Sequence, residues 1–211
     1  MAVGAHPDDI EFGCSGTLMR HTQDGDDVTM LIMTNSQSVD GVTGKVIRTS
    51  TQLYEETSNA AEIIGAELVM LSFVDLHVPF SFESVSEIER HIGRGRIDTL
   101  YTHWAGDSNQ DHIAAYKASV AAARYVPNVF CYEQIPIPRH TENEMKPTYY
   151  SDITEQFEDK LRIAKCHKSQ IKKYAKVGFD VSKNLETLAR YRGIQANTTF
   201  AEAFQVIKTV S

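Results

Sequence analysis

The densest chemistry in the 211-residue chain is in its first ten residues, where His6, Asp8 and Asp9 sit together in Ala5-His6-Pro7-Asp8-Asp9. One imidazole and two carboxylates so close in sequence are potential metal ligands and bases. Pro7 restricts the backbone and biases His6 towards an extended conformation, so the three side chains can point in different directions. A polar turn with an Asp-rich helix start would have the same local composition, because Asp is favoured at such ends. A second polar cluster far along the chain, Asp107-Ser108-Asn109-Gln110-Asp111-His112, tips the reading towards a site.

Each cluster follows an apolar, strand-like run. Met1 to Ala5 precedes the first; it is short, which leaves room for a longer native start. Residues 97 to 103 precede the second. Glycines 13 and 16 open a short helix expected over Cys14 to Thr22. An Ala-rich helix is expected over Ile113 to Val126, with His112 in its first turn and Ser108/Asp111 resembling a capping box in which Asp replaces the usual Glu or Gln. The positive end of a helix disfavours a protonated imidazole, and a metal ligand must be unprotonated. Taken alone, His112 would equally well be a helix-start histidine making an ordinary hydrogen bond.

The remaining pattern alternates. Strands are expected over 28–33, 68–73 and 129–132, each an apolar run bounded by turn residues. Helices are expected over 50–64, ending at Gly65, and over 84–92, 152–171 and 182–191. Residues 34–43 read as a loop. Pro136, Pro138 and Pro147 mark a long loop of the kind that forms lids. Residues 200–207 read as a short helix or a strand. Such alternation gives an α/β fold, a Rossmann-like, mostly parallel sheet with helices on both faces, here as one domain over 1–211. Both polar clusters then lie at the carboxyl edge of the sheet, after the first and fourth strands, where ligands collect. Strand order is not readable, but neighbouring central strands would bring the clusters together.

A net charge of -7 argues against nucleic acid or an anionic membrane surface as the main partner. No apolar run approaches membrane-spanning length, and no signal peptide is visible. The three cysteines, Cys14, Cys131 and Cys166, are odd in number and widely spaced, which suggests reduced thiols in a cytoplasmic protein. A homo-oligomer is expected.

The segment AHPDDIEFGCSGTL resembles the opening motif of the LmbE-like, or PIG-L-like, zinc-dependent N-deacetylases, and THWAGDSNQDH looks like that family's second metal motif. Asp152-Ile153, Lys160, His167 with Ser169-Gln170, Tyr191-Arg192-Gly193 and Ala201-Glu202-Ala203-Phe204 are similar to its later signatures. The resemblance implies His6, Asp9 and His112 as zinc ligands and Asp8 as the general base. Two nitrogens and one carboxylate with an open position also suit a catalytic zinc on general grounds, and suit Fe2+ as well. The implied activity is removal of an N-acetyl group from an N-acetylglucosamine-type amino sugar or conjugate, a small-molecule substrate. Two alternatives stay open: a metal-dependent amidase acting on a non-sugar amide, and a catalytically impaired relative that binds sugars.

Two positions depart from the family pattern. Asn109 stands where the family has a histidine, and asparagine donates a hydrogen bond but cannot shuttle a proton. The family's Arg-x-x-Glu reads Leu53-Tyr54-Glu55-Glu56 here, with Arg48 off register as a displaced substrate anchor. Asp111 is expected to orient its neighbours. His103 and Trp104 either line the pocket or pack at a strand end. Asp107 reads as a loop-turn residue, and His77, His91, His140 and His167 as surface or structural.

Overall fold

The computed structural model describes residues 1–35, 37–39, 43–136 and 144–210. Along the chain lie β1 (Ala2–Gly4), α1 (Asp9–Gln23), β2 (Thr29–Thr34), β3 (Ser38–Val39), β4 (Val46–Arg48), α2 (Ser50–Ile64), β5 (Glu67–Phe73) and α3 (Phe82–Gly95). There follow β6 (Thr99–Thr102), α4 (Gln110–Ala122), β7 (Asn128–Tyr132), β8 (Tyr149–Asp152), α5 (Phe157–Cys166), α6 (Lys168–Ala175), α7 (Val181–Ala196) and β9 (Ala201–Lys208).

Seven strands form a sheet in the order β5-β2-β1-β6-β7-β9-β8, and β3 pairs separately with β4. Strands β5, β2, β1, β6 and β7 are parallel; β9 runs antiparallel to β7 and to β8. The expected mostly parallel α/β sheet is therefore present. Strand order reverses between β1 and β6, which pair directly, Ala2 opposite Tyr101. Connections that leave in opposite directions from two adjacent strands open a crevice at their carboxyl ends. The loops carrying the two polar clusters leave from those ends.

Successive side chains of β2 explain its continuous apolar run. Met30 and Ile32 pack on one face with Ile10, Leu18, Ala60 and Ile163 of α1, α2 and α5, while Leu31 and Met33 pack on the other with Ile88, Ala115 and Ala118 of α3 and α4. A strand covered on both faces has no polar side to alternate with. Helix α2 matches its expected bounds because its ends are written locally. Thr49 and Gln52 form a capping box, and Gly65 takes the left-handed conformation at φ 78°.

Other expectations change. The first helix begins at Asp9, before Cys14, because two helical pieces join across a kink at Cys14 (φ -142°, ψ 18°). A buried ion pair serves the backbone groups that the kink frees. Lys160 Nζ donates to the carbonyls of Phe12 (2.8 Å) and Glu11 (3.4 Å) and to Glu202 Oε1 (2.6 Å). The Glu202 carboxylate accepts from Gly16 N at 2.9 Å, Thr17 N at 2.7 Å and Thr17 Oγ1. Gly13 lets Tyr132 close over this helix, since a Cβ there would stand 2.5 Å from the ring.

The helix expected over 152–171 is instead the end of β8, then α5, then α6, broken at His167 (φ -79°, ψ 59°). The break accompanies burial of His167 against Glu11, Nε2 to Oε1 2.8 Å. Residues 200–207 resolve as strand β9, inserted antiparallel between β7 and β8. Helix α4 is capped by Asn109, whose side chain accepts from Asp111 N at 2.9 Å, so the expected Ser108/Asp111 capping box does not form. Most of the expected lid, with Pro138 and His140, and part of the 34–43 loop lie outside the described residues.

Candidate active site

Strand β1 ends at Gly4, and the next five residues turn from strand to helix with almost no slack. Asp8 sits at the start of α1 in the left-handed region (φ 106°), without capping the helix through its side chain. A non-glycine residue there costs of order 1–3 kcal/mol, and such strain clusters at functional sites. The turn aims Asp8 and Asp9 into one cavity of about 620 Å³ at the carboxyl edge of the sheet, which His6, Asn109 and His112 also line. The two polar clusters, remote in sequence, share one space.

Asp9 is the centre of this arrangement. Its carboxylate accepts from the His6 backbone N at 2.7 Å and from Gln134 Nε2 at 2.8 Å. His6 Nδ1 lies 3.5 Å from Asp9 Oδ2, and His112 Nε2 lies 3.3 Å from Asp9 Oδ1. Ligand atoms of His6, Asp9 and His112 all fall within 4.8 Å of one another, the spacing of a cluster that can hold a cation. The other nitrogen of each imidazole is held from behind. His6 Nε2 meets Asp111 Oδ2 at 2.9 Å and Asp75 Oδ1 at 3.1 Å, and His112 Nδ1 meets Asp107 Oδ2 at 2.8 Å. Carboxylates in this position fix the ring and its tautomer and make the facing nitrogen a better ligand. Asp111 is itself fixed, accepting from the backbone N–H of Leu76 (2.7 Å) and Val78 (3.1 Å).

Charge follows from these contacts. Burial pulls the His112 pKa down, but Asp9 and Asp107 outweigh burial and push it up to about 9. The expected helix-end effect is therefore overridden by two adjacent carboxylates. Burial likewise opposes protonation of His6, and Asp111, Asp75 and Asp9 overcome it. Burial raises Asp8 to about 6 even though Arg48 pulls it down. Burial would raise Asp9 too, but the His112 charge holds it well below the usual carboxylate range. Two adjacent carboxyl groups are thus separated in proton affinity, the usual mark of divided roles.

Three expected substrate contacts lie off the cavity wall. His103 is fully buried beneath the site. Its Nε2 accepts from Ala5 N at 2.9 Å, and its ring stacks on His112 with centroids 4.1 Å apart. Burial, followed by the His112 charge, lowers its pKa to about 4, so it is a neutral support. Trp104 folds over Gly106 rather than over the cavity. Arg48 is 1% exposed and donates to Pro7 O (3.3 Å) and Glu56 Oε2 (3.5 Å), bracing the loop from behind. Glu56 also accepts from Ser169 N and Oγ, at 2.9 and 2.6 Å. Arg48 thus pairs with Glu56 from another element, while Leu53, at the family's arginine position, is buried. His167 is buried and structural as expected, and His77 is exposed.

Asp75 and Gln134 escaped sequence reasoning, and Asp107 does more than shape a turn. Asp75 and Gln134 each follow a strand (β5 and β7) at the same carboxyl edge, the one signal that could have drawn attention to them. Asn109 uses Oδ1 for its helix, which leaves its amide N–H2 to serve the cavity.

Fold and site define a class of protein, α/β proteins that gather candidate metal ligands and a further carboxylate at one edge of a mostly parallel sheet. Residues 1–123 match the family described as PIG-L, GlcNAc-PI de-N-acetylase, and the chain belongs to this family of N-deacetylases. It is 33% identical over 176 residues to the uncharacterized deacetylase YaiS of Escherichia coli, covering 80% of this chain and 90% of that one. It is 28% identical over 227 residues to the diacetylchitobiose deacetylase of Thermococcus kodakarensis, covering 98% and 82%. Among solved structures, GalB of Pseudomonas putida, a 4-carboxy-2-hydroxymuconate hydratase, has a similar fold (TM-score 0.84, 20% identity, 100% and 96% coverage). A shared fold therefore does not set the reaction here; the side chains must.

Proposed function

We propose that this protein is a zinc-dependent hydrolase that removes the acetyl group from an N-acetylglucosamine-type amino sugar or its conjugate. The observation that carries the reading is the convergence of His6 Nδ1, Asp9 and His112 Nε2 beside Asp8 in one cavity. The donor set fits the metal: two imidazoles and one carboxylate, with each imidazole backed by a second carboxylate. The diacetylchitobiose deacetylase among its relatives supports an amino-sugar substrate.

His6, Asp9 and His112 would hold the cation. When bound, zinc brings the pKa of a water near neutrality and polarises the amide carbonyl. Asp8, raised to about 6 by burial, is poised to take the proton from water at neutral pH. The same carboxyl group then returns that proton to the departing amine nitrogen. The Asn109 amide donates a hydrogen bond to the carbonyl oxygen as it gains charge. His103, Trp104, Arg48 and Asp111 hold the loops and rings that bear these groups. The products are acetate and a free amine.

We further read the chain as one domain over 1–211, cytoplasmic and homo-oligomeric. The free cysteines and the exposed apolar side chains Phe80 and Phe82 support those readings. No helix among the described residues is long and apolar enough to cross a membrane. Acetate release from a panel of N-acetylglucosamine glycosides, with zinc-loaded protein and Asp8→Ala as control, tests the activity. Protein that binds the sugars and releases no acetate would establish a binder instead.

A further inference from the structure

The sheet has one edge at β5, and among the described residues no strand pairs with its outer side. Five of its seven residues are apolar (Leu68, Val69, Met70, Leu71 and Phe73), yet none is buried, whereas β2 beside it buries five of six. Exposed edges are commonly blunted by lysine or proline. β5 has neither, and Glu67 at its start is its one charge. Its ladder with β2 is regular over Glu67–Met70 and shifts register only towards Phe73, so four residues in a row present an unbroken edge.

Helix α3 flanks this edge, with Val85, Ile88 and Ile92 in one apolar cluster with Val69, Leu71 and Phe73. Its polar contacts show which flank is free. Glu89 pairs with Arg124, just beyond the end of α4, so that side of the helix faces α4. The far flank carries Glu83, Glu87, Arg90 and Arg94, spaced by four, three and four residues and therefore in one stripe. The first two are acidic and the last two basic. Arg90 meets Glu87 of its own chain at 2.7 Å, while Glu83 and Arg94 have no ion pair among the described residues.

The stripe complements itself. A twofold axis through its middle sets Glu83 against the partner's Arg94 and Glu87 against the partner's Arg90, and the same contacts recur in reverse, as an isologous interface requires. That axis also lays β5 antiparallel to the β5 of a second copy, which matches main-chain donors to acceptors. The 14 residues of α3 span about 21 Å and the seven of β5 about 23 Å, so one axis can cross the middle of both. Strands about 4.8 Å apart beneath helices about 10 Å apart are ordinary for such a layer. We propose that this protein forms a twofold dimer through β5 and α3, joining two sheets into one. The edge and its half-covered apolar side chains supply the affinity, and the charge stripe selects a second copy in antiparallel orientation over any other strand. The inference rests on the homo-oligomeric reading, which it makes specific, and is independent of the deacetylase reading.

Charge reversal, read by analytical ultracentrifugation of the full chain, tests the interface. Glu83→Arg/Glu87→Arg makes the whole stripe basic, and Arg90→Glu/Arg94→Glu makes it acidic. Each variant alone should weaken self-association at least about 30-fold in Kd, because like charges then meet across the axis. Mixed in equal amounts, the two should form a heterodimer, and the quadruple variant carrying both reversals should recover wild-type association. Far-UV circular dichroism checks that each variant keeps its helices. A wild type that is monomeric at every concentration, self-association unchanged by either reversal, a mixture without heterodimer, or a quadruple variant that stays weakened would each overturn the interface. No readout involves zinc or acetate release, so failure here leaves the deacetylase reading standing.

Discussion

Replacing Asp107 by Asn tests whether the carboxylate behind His112 shapes the metal site. Asp107 accepts from Asn109 N at 2.8 Å through Oδ1, and an asparagine carbonyl can keep that bond. Its Oδ2, 2.8 Å from His112 Nδ1, can become an amide donor facing the ring nitrogen that must itself donate. The imidazole then loses its orienting partner while the loop keeps its shape. Such partners contribute about 10–100-fold to metal affinity, or about 1.4–2.7 kcal/mol. Protons complicate the reading in a useful way. With its pKa pushed up to about 9 by Asp9 and Asp107, His112 is mostly protonated at pH 7 without metal, so ligation must displace that proton. Apparent zinc affinity should therefore rise as pH rises from neutrality through about 9. Removing the Asp107 charge lowers the His112 pKa, so the variant's deficit is partly masked at pH 7 and fully expressed above pH 9. Competition titration with a chromophoric chelator across this range measures it. An affinity within about twofold of wild type at high pH would mean that His112 is not the ligand its surroundings suggest.

Three further outcomes follow from named contacts. Asp8→Asn should keep its metal by elemental analysis and lose about 10²–10⁴-fold in rate. In the wild type, activity should fall as pH drops through about 6, because the base must be unprotonated; a metal-depleted Asp8→Asn would mean that base and ligand have been exchanged. Asn109→Ala should lower kcat by about 10²–10³-fold and, through the lost cap, stability by about 1 kcal/mol. Asn109→His with turnover unchanged or lower would indicate a site built around the amide. Glu202→Gln strands the Lys160 charge inside the protein and should cost about 3–5 kcal/mol, a fall in Tm of about 6–20 °C in calorimetry. Lys160→Met added to it should recover part of that loss, and a single variant melting with wild type would remove the ion pair from the account of the kink.

Half of the site was legible because its chemistry is written in adjacent residues. His6, Asp8 and Asp9 share one turn, and His112 stands at the start of an Ala-rich helix. Helix α2 was legible for the same reason, with Thr49, Gln52 and Gly65 marking its ends in neighbouring positions. The sheet class followed from apolar runs that alternate with helical patterns.

What the chain alone could not disclose depends on partners distant in sequence. His167 breaks one expected helix into two because its partner is Glu11. Residues 200–207 become a strand because β7 and β8 leave a place between them. Asp75, Asp107 and Gln134 acquire roles only when the loops after β5, β6 and β7 converge. Local propensity and capping act within a few residues and can be read from order. The choice of which imidazole a carboxylate will hold belongs to strand order, and strand order is decided by packing across the whole sheet.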